Sequence, residues 1–171
     1  RHGYLSYAKL SEELRDEVFF DLLRLCKPSD HFLELGCAVG SNFEYLRRQG
    51  YSRFTGVDIT DPAIAHFKEI YPEAAALTET HVGDALPILR AFPDNAFDVV
   101  FTKGFLTVIP YEDDAIFAEM ARVSRGIIMM REGDPINGTG VHYPRDFEKI
   151  FSDLGFQMIC KRLHGATGVW G

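Results

Sequence analysis

The chain alternates between short apolar runs and longer stretches in which apolar residues recur at helical spacing. Short runs rich in β-branched and aromatic residues are typical of buried strands, whereas apolar residues three and four positions apart predict helices. The runs that predict strands end at Leu35, Asp58, Val82, Thr102 and Met130. Helices are predicted between and after them, at 41–49, 61–70, 85–91, 111–123 and 145–154.

This order of elements predicts the fold class. Five strand–helix units are followed by two strand-like runs, 156–163 and 166–170, which predict a closing hairpin. The run Phe97–Thr102 has almost no polar interruption and is typical of a central parallel strand. We therefore predict an α/β, doubly wound, mostly parallel Rossmann-like sheet with helices on both faces and a C-terminal antiparallel hairpin. The ligand site of such a sheet lies at the carboxyl ends of its strands.

Residues 1–28 predict a helical segment at the N-terminus. Ser11 suits an N-cap, and the helix is expected to end by Lys27, before a proline. This segment either packs on the sheet or forms a lid whose tyrosines close over a ligand. Since no linker, repeat or low-complexity tract divides the chain, we predict one domain over residues 1–171.

Composition and charge narrow the class of protein. The 171 residues are 46% apolar and 25% charged, as in an ordinary globular protein, and the formal net charge is −7. An acidic chain argues against nucleic acid as a partner. The chain has three scattered cysteines, no metal-ligand cluster, no run long enough to span a membrane and no signal-peptide pattern. We therefore predict a cytoplasmic protein with no metal and no membrane contact.

The stretch 31–42 carries the first chemical motif. After the predicted strand ends at Leu35, Gly36 and Gly40 turn the backbone, and Ser41 and Asn42 lead into a helix. Glycine tolerates positive φ and lets a ligand approach the backbone, and a helix N-terminus supplies free N–H groups. Many α/β folds need such glycines, however, and an aspartate at a strand end, such as Asp58, is often only a turn residue.

Taken together and in order, the motifs resemble those of class I S-adenosylmethionine-dependent methyltransferases, over residues 30 to 163. Glu34–Gly40 resembles the glycine-rich first motif of that family, and Phe97–Phe101 matches its fourth strand. Asp58 matches the carboxylate that holds the ribose hydroxyls, and Gly83-Asp84-Ala85 resembles the motif that binds adenine. The resemblance implies S-adenosylmethionine as cofactor, with S-adenosylhomocysteine as product. It implies cofactor binding by Glu34, Gly36, Cys37, Ala38, Gly40, Asn42, Asp58, Ile59, Gly83, Asp84, Ala85, Thr102 and Lys103.

Two departures and one narrower likeness bear on the substrate. Ala38 replaces the middle glycine of the first motif, and no Asp/Asn-Pro-Pro-Tyr follows the fourth strand, which lowers the expectation of a nucleic-acid substrate. The phrases Glu34–Cys37, Phe101–Gly104, Leu106–Pro110 and Arg145–Phe147 are similar to methyltransferases encoded with pseudaminic-acid or other surface-sugar pathways. That likeness implies a small polar metabolite or a sugar as the acceptor.

The reaction expected is transfer of a methyl group to an oxygen or nitrogen of a small molecule by in-line displacement, which depends chiefly on alignment. One alternative is a non-catalytic S-adenosylmethionine-binding regulatory module, because the sequence shows no clear general base. Another is a nicotinamide-dependent oxidoreductase, although Gly36 and Gly40 lack the third glycine of a dinucleotide motif.

The acceptor side is less well defined by the sequence. By chemistry, the candidates for a catalytic group are His142, Tyr143 and Lys103. The residues predicted to bind the acceptor are Phe105, Tyr111, Arg131 and His142. Each also has a purely structural reading, in which the aromatic groups pack, the cations reach solvent or an acid, and the histidine is buried. Cys37 is interpreted as a small turn residue and not a nucleophile. The compact chain predicts an acceptor site that is either shallow or completed by a partner chain, such as the second copy of a homodimer.

Overall fold

A computed structural model describes residues 22–132, 142–162 and 166–171. The chain divides into two compact units, residues 1–85 and 86–171, and each is considered by itself. Most of the predicted N-terminal helix, with its lid alternative, and the predicted loop 133–141 lie outside the described residues. Leu22 and Leu23 are helical, and Leu22 is fully buried.

The first unit contains three parallel strands in the order β3-β2-β1. The strands are β1 His31–Leu35, β2 Arg53–Asp58 and β3 Thr78–Val82, and the helices are α1 Ser41–Arg48, α2 Asp61–Ile70 and α3 Pro72–Ala76. Side chains from α1, α2 and β2 form an aromatic cluster. The ring of Phe43 lies 5.2 Å from Phe54 and 6.0 Å from Phe67, between ring centroids. These contacts pack both helices against the strand that carries Asp58.

The second unit contains the strands β4-β5-β7-β6 in that order. Its elements are α4 Ala85–Ala91 (which starts at the last residue of the first unit), β4 Phe97–Lys103, α5 Ala115–Val123, β5 Ser124–Glu132, α6 Phe147–Asp153, β6 Met158–Arg162 and β7 Ala166–Trp170. Two 3₁₀ turns, Leu106–Val108 and Tyr111–Asp113, lie between β4 and α5. Strands β4 and β5 are parallel, and β7 is antiparallel to both β5 and β6.

The predicted fold class is confirmed: among the described residues, the first unit has three parallel strands, and the second has a parallel pair followed by an antiparallel hairpin. Whether the chain acts as one domain stays a prediction.

Two predicted helices are present but start later than predicted, one for a tertiary reason and one for a capping reason. The helix predicted at 111–123 is a 3₁₀ turn followed by α5, and Asp114 between them pairs with Arg145. The helix predicted from Arg145 starts at Phe147, because the Asp146 carboxylate caps it by accepting from the Lys149 N–H. The short helix α3 was not predicted.

Candidate cofactor and acceptor sites

The glycine turn is fastened to the end of β2. The backbone N–H groups of Gly36 and Cys37 both donate to the Val57 carbonyl, at 2.8 and 3.1 Å. Gly36, Ala38 and Gly40 have φ angles of 75°, 46° and 66°. Three left-handed residues within five positions reverse the chain tightly. The departure from the family pattern at Ala38 is therefore a strained position, since a Cβ is disfavoured in this conformation.

Asp58 binds the turn directly. Its Oδ2 accepts from the Ala38 N–H and its Oδ1 from the Thr60 N–H, each at 2.8 Å. The N–H of Gly83, at the end of β3, donates to the Asp58 carbonyl at 3.0 Å. A carboxylate accepts about four hydrogen bonds, so each oxygen keeps capacity for one more donor. The first unit thus brings the motifs that follow β1, β2 and β3 to one edge, with Asp58 at the centre.

Glu34 and Asn42 lie beneath the turn. Both are almost fully buried, and the Asn42 side-chain amide donates to Glu34 Oε1 at 2.5 Å. This bond ties the end of β1 to the first turn of α1, and it supplies a structural reason for both polar residues. Direct contact of either residue with the cofactor stays a prediction.

Gly40 is required by packing. A Cβ at this position would lie 2.2 Å from two ring carbons of Phe67, and Phe67 has no exposed surface. The sequence analysis attributed this glycine to positive φ, which agrees with its φ of 66°, and to close approach by a ligand. The structure gives a different reason, since the ring of a core phenylalanine already occupies the space that a side chain would need.

Cys37 is a packing residue. Its side chain is buried, and its Sγ lies 2.8 Å from where a Cβ on Gly56 would be. Burial raises the pKa of the Cys37 thiol well above its ordinary value, and the nearby charges of Glu34 and Asp58 raise it further. The thiol is therefore protonated at neutral pH, which agrees with the interpretation of Cys37 as a small turn residue.

Apolar side chains are exposed at the same edge of the first unit. Ile59 is 74% exposed and Val82 is 47% exposed, although large aliphatic side chains normally favour burial. Val82 pairs in register with Asp58, and Gly83, Asp84 and Ala85 follow it. An apolar surface beside a carboxylate suits a ligand with a flat apolar ring and hydroxyl donors.

In the second unit, the carboxyl ends of β4 and β5 place two predicted cations side by side. Lys103 and Arg131 are register partners at these ends, and the Gly104 N–H donates to the Arg131 carbonyl at 2.8 Å. Thr102 is fully buried beside them. The predicted roles of Thr102 and Lys103 toward the cofactor are not tested by these contacts and stay predictions.

The remaining predicted acceptor residues meet across two segments. The rings of Tyr111 and Tyr143 pack edge to face with centroids 5.1 Å apart, and the Tyr143 N–H donates to the Thr107 carbonyl at 2.7 Å. His142, the preceding residue, has a buried Nδ1 with no hydrogen-bond partner. The structure therefore groups Tyr111, His142 and Tyr143.

Glu132 is a buried acid that the sequence interpretation missed. It is 1% exposed, and it accepts four hydrogen bonds, from the hydroxyls of Thr102 and Thr107 and from the N–H groups of Phe105 and Thr107. Burial raises the pKa of its carboxyl, although these hydrogen bonds oppose the effect. A glutamate that ends an otherwise apolar strand was the available signal, because an acid is rarely buried without partners.

Two findings concern absent features. Among the described residues, no three His, Cys, Asp or Glu side chains are grouped in a way that could hold a metal ion. Over the same part of the chain, no helix combines the length and the hydrophobicity needed to cross a membrane.

Two methyltransferases are similar in sequence to this chain. It is 30% identical over 146 residues to the protein named "Probable methyltransferase ltbC" of Aspergillus luteorubrus, which covers 77% of this chain and 50% of that one. It is 27% identical over 95 residues to the phosphoethanolamine N-methyltransferase of Triticum aestivum, covering 56% and 18% of the two chains. The chain thus spans half or less of the length of these curated relatives.

Among solved structures, magnesium protoporphyrin IX methyltransferase from Synechocystis PCC 6803, with bound S-adenosylhomocysteine, matches with a TM-score of 0.71 and 17% identity. The match covers 93% of this chain and 80% of that one, and at this identity it shows the shared fold alone. Residues 33–129, more than half of the chain, match the family described as methyltransferase domain. The chain therefore belongs to the methyltransferase domain family.

Proposed function

We propose that this domain binds S-adenosylmethionine at the carboxyl ends of β1, β2 and β3 and methylates an oxygen or nitrogen of a small polar acceptor. The cofactor supplies an electrophilic methyl group on a sulfonium. A lone pair of the acceptor forms the new bond to the methyl carbon as the carbon–sulfur bond breaks. The electron pair of the broken bond stays on sulfur, which gives S-adenosylhomocysteine. Membership of the methyltransferase domain family supports this reaction over the nicotinamide alternative.

The arrangement around Asp58 is the observation that carries the proposal. Its carboxylate is fixed by the N–H groups of Ala38 and Thr60 and keeps one acceptor position on each oxygen. Two adjacent ribose hydroxyls would fill these positions. The exposed Ile59 and the Gly83-Asp84 turn flank the carboxylate and would contact the adenine.

On the acceptor side, the two neighbouring cations Lys103 and Arg131 favour a molecule with an acidic group. Lys103 and Arg131 are register partners at the ends of β4 and β5, and an arginine fork suits a carboxylate or a phosphate. An acidic sugar or a similar small acid would satisfy this charge pattern and the narrower likeness to surface-sugar methyltransferases. His142 is our candidate for the base that takes the acceptor proton, because its imidazole carries a nitrogen with no hydrogen-bond partner. A homodimer and a cytoplasmic location stay predictions.

Thermal unfolding with S-adenosylhomocysteine, and separately with oxidised nicotinamide dinucleotide, tests the cofactor. Ligand at 100 times its Kd should raise Tm by about 5–10 °C. Asp58→Asn should lose most of the shift, because an amide nitrogen cannot accept from a hydroxyl. Asp153→Asn is the matched control, since Asp153 is an exposed acid of the second unit that pairs with Lys149. A shift with the dinucleotide alone would refute the proposal.

Release of S-adenosylhomocysteine with a panel of small acids and their uncharged analogues tests the acceptor class. Arg131→Gln should raise KM for an acidic acceptor by about tenfold, since a hydrogen bond to a charged group contributes about 1.5–3 kcal/mol. Arg125→Gln is the control, because Arg125 is half exposed, lies on the same strand and pairs with Asp98. Faster turnover of uncharged analogues would exclude the acidic acceptor. Binding without turnover on any acceptor would favour the regulatory module.

A further inference from the structure

Arg145 is a buried cation that joins two segments of the second unit. Its side chain is only 3% exposed and it forms an ion pair with Asp114 at 2.6 Å. The guanidinium also donates to the carbonyls of Leu106, Ile109 and Tyr143, at 3.2, 2.9 and 3.0 Å. One side chain therefore binds the backbone that follows β4 and the backbone that precedes α6.

The same guanidinium lies against the aromatic rings of Tyr111 and Tyr143, which the structure groups with His142. Its central carbon is 4.8 Å from the ring centroid of Tyr111 and 6.0 Å from that of Tyr143. The Tyr111 hydroxyl donates to the Pro144 carbonyl at 3.2 Å. This hydrogen bond also joins the segment that follows β4 to the segment that precedes α6. Cation–π contacts with a desolvated arginine add to the hydrogen bonds and fix the ring orientations.

Glu132 holds the other side of the same loop. It accepts the N–H groups of Phe105 and Thr107, whereas Arg145 binds the carbonyls of Leu106 and Ile109. A buried carboxyl group and a buried guanidinium thus bind alternate backbone groups of one five-residue stretch. We call residues 105–109 with Glu132 and Arg145 the double clamp. Buried polar groups whose hydrogen-bond partners are all in place give a rigid arrangement, because releasing either side chain leaves groups of the loop without partners.

We propose that Arg145 is a positioning residue for methyl transfer, which acts by fixing His142 and Tyr143 against the loop held by the double clamp. This inference rests on the proposed function, and it adds a residue that does not touch the reacting atoms. Its effect passes through Tyr143, the residue that follows His142: Arg145 binds the Tyr143 carbonyl directly, and the Tyr111 ring that Arg145 contacts packs against the Tyr143 ring. Loss of the guanidinium fork should let the 142–147 segment shift while the first unit stays unchanged.

Arg145→Lys tests this inference, because lysine keeps the charge but cannot form the planar set of bonds. Arg122→Lys is the matched control, since Arg122 also pairs with acids, Asp94 and Glu119, and donates to the carbonyls of Leu89 and Phe92. The first readout is the imidazole nitrogen spectrum of protein labelled with ¹⁵N-histidine. We expect the His142 resonances to shift and broaden in Arg145→Lys, while His31 and His66 stay unchanged and Arg122→Lys leaves all three in place.

The second readout is kinetic. With an acceptor from the panel, Arg145→Lys should lower kcat by about 10- to 100-fold, as expected for a displacement near 1 Å, with the Kd for S-adenosylhomocysteine changed by less than about twofold. If Arg145→Lys does not fold, Asp114→Asn replaces it, because Asp114 is half exposed and its loss leaves the three carbonyl bonds in place. That variant should move the His142 resonances in the same direction by a smaller amount.

Unchanged His142 resonances in Arg145→Lys, or equal losses of kcat in Arg145→Lys and Arg122→Lys, would overturn the inference. The nitrogen spectrum needs neither cofactor nor acceptor. Failure to bind S-adenosylhomocysteine would therefore refute the proposed function. The nitrogen spectrum would still decide whether Arg145 positions His142.

Discussion

Replacing Gly40 by alanine tests why the glycine turn has its sequence. The new Cβ would lie 2.2 Å from two carbons of the Phe67 ring, far inside van der Waals contact. The ring cannot move aside cheaply, because Phe67 is fully buried and packs against Phe43. Gly40 also has a φ of 66°, which an alanine adopts only with strain.

The cost can be worked from these two effects. A left-handed conformation costs a residue with a side chain about 1–2 kcal/mol. Overpacking a core costs about 1–3 kcal/mol more. Gly50→Ala separates the two, because Gly50 has a φ of 94° but no atom within 4 Å of an added Cβ. Gly40→Ala should therefore lower the free energy of unfolding by about 2–5 kcal/mol, and Gly50→Ala by about 1–2 kcal/mol.

Urea unfolding of both variants and of a double-mutant cycle with Phe67→Leu measures this difference. The smaller leucine leaves room for the Cβ, so the double variant should be more stable than the sum of the single losses predicts, by about 1 kcal/mol or more. Equal costs for Gly40→Ala and Gly50→Ala, together with additivity in the cycle, would refute the packing argument. Gly40 would then be explained by ligand approach, as the sequence alone suggested.

Three further predictions concern single side chains. Ala38→Gly should raise the free energy of unfolding by about 0.5 kcal/mol, because relief of the left-handed strain at Ala38 exceeds the added chain entropy of glycine. Urea unfolding measures this change, and a loss of stability would contradict the prediction. Burial raises the pKa of Glu132 above its ordinary value of 4.5, so its contribution to stability is greatest below that pH and declines as pH rises through the raised pKa. Glu132→Gln should remove this decline in melts from about pH 4 to about pH 8, and an unchanged slope relative to the wild type would refute it. Cys37 should react with iodoacetamide on the order of tenfold more slowly than the half-buried Cys26 and Cys160, because its thiol is buried and its pKa is raised. Mass spectrometry of the peptides measures the three rates, and faster reaction of Cys37 would contradict the prediction.

Local patterns were sufficient for the strands and for the motifs of the first unit. Strand β4 was predicted because its residues are apolar on both faces, and a parallel strand in the middle of a sheet is buried on both faces. Strand order placed Asp58 at the same sheet edge as the glycine turn, and the resemblance to the methyltransferase motifs then implied its role toward the ribose. The bond from the Ala38 N–H to Asp58 agrees with that placement.

The sequence by itself determined the order of elements and the fold class, since period and strand ends are local properties of a chain, whereas the cofactor residues were predicted from the resemblance of its motifs to a family. Tertiary structure alone decided that Gly40 is enforced by Phe67, that Asp114 interrupts a predicted helix, and that Arg145 and Glu132 hold residues 105–109. Arg145 lies 31 positions from Asp114 and 36 from Ile109, and no local pattern reports a hydrogen bond over that separation. Buried charges depend on which distant groups the fold brings to them, and so their roles were visible only once the chain was folded.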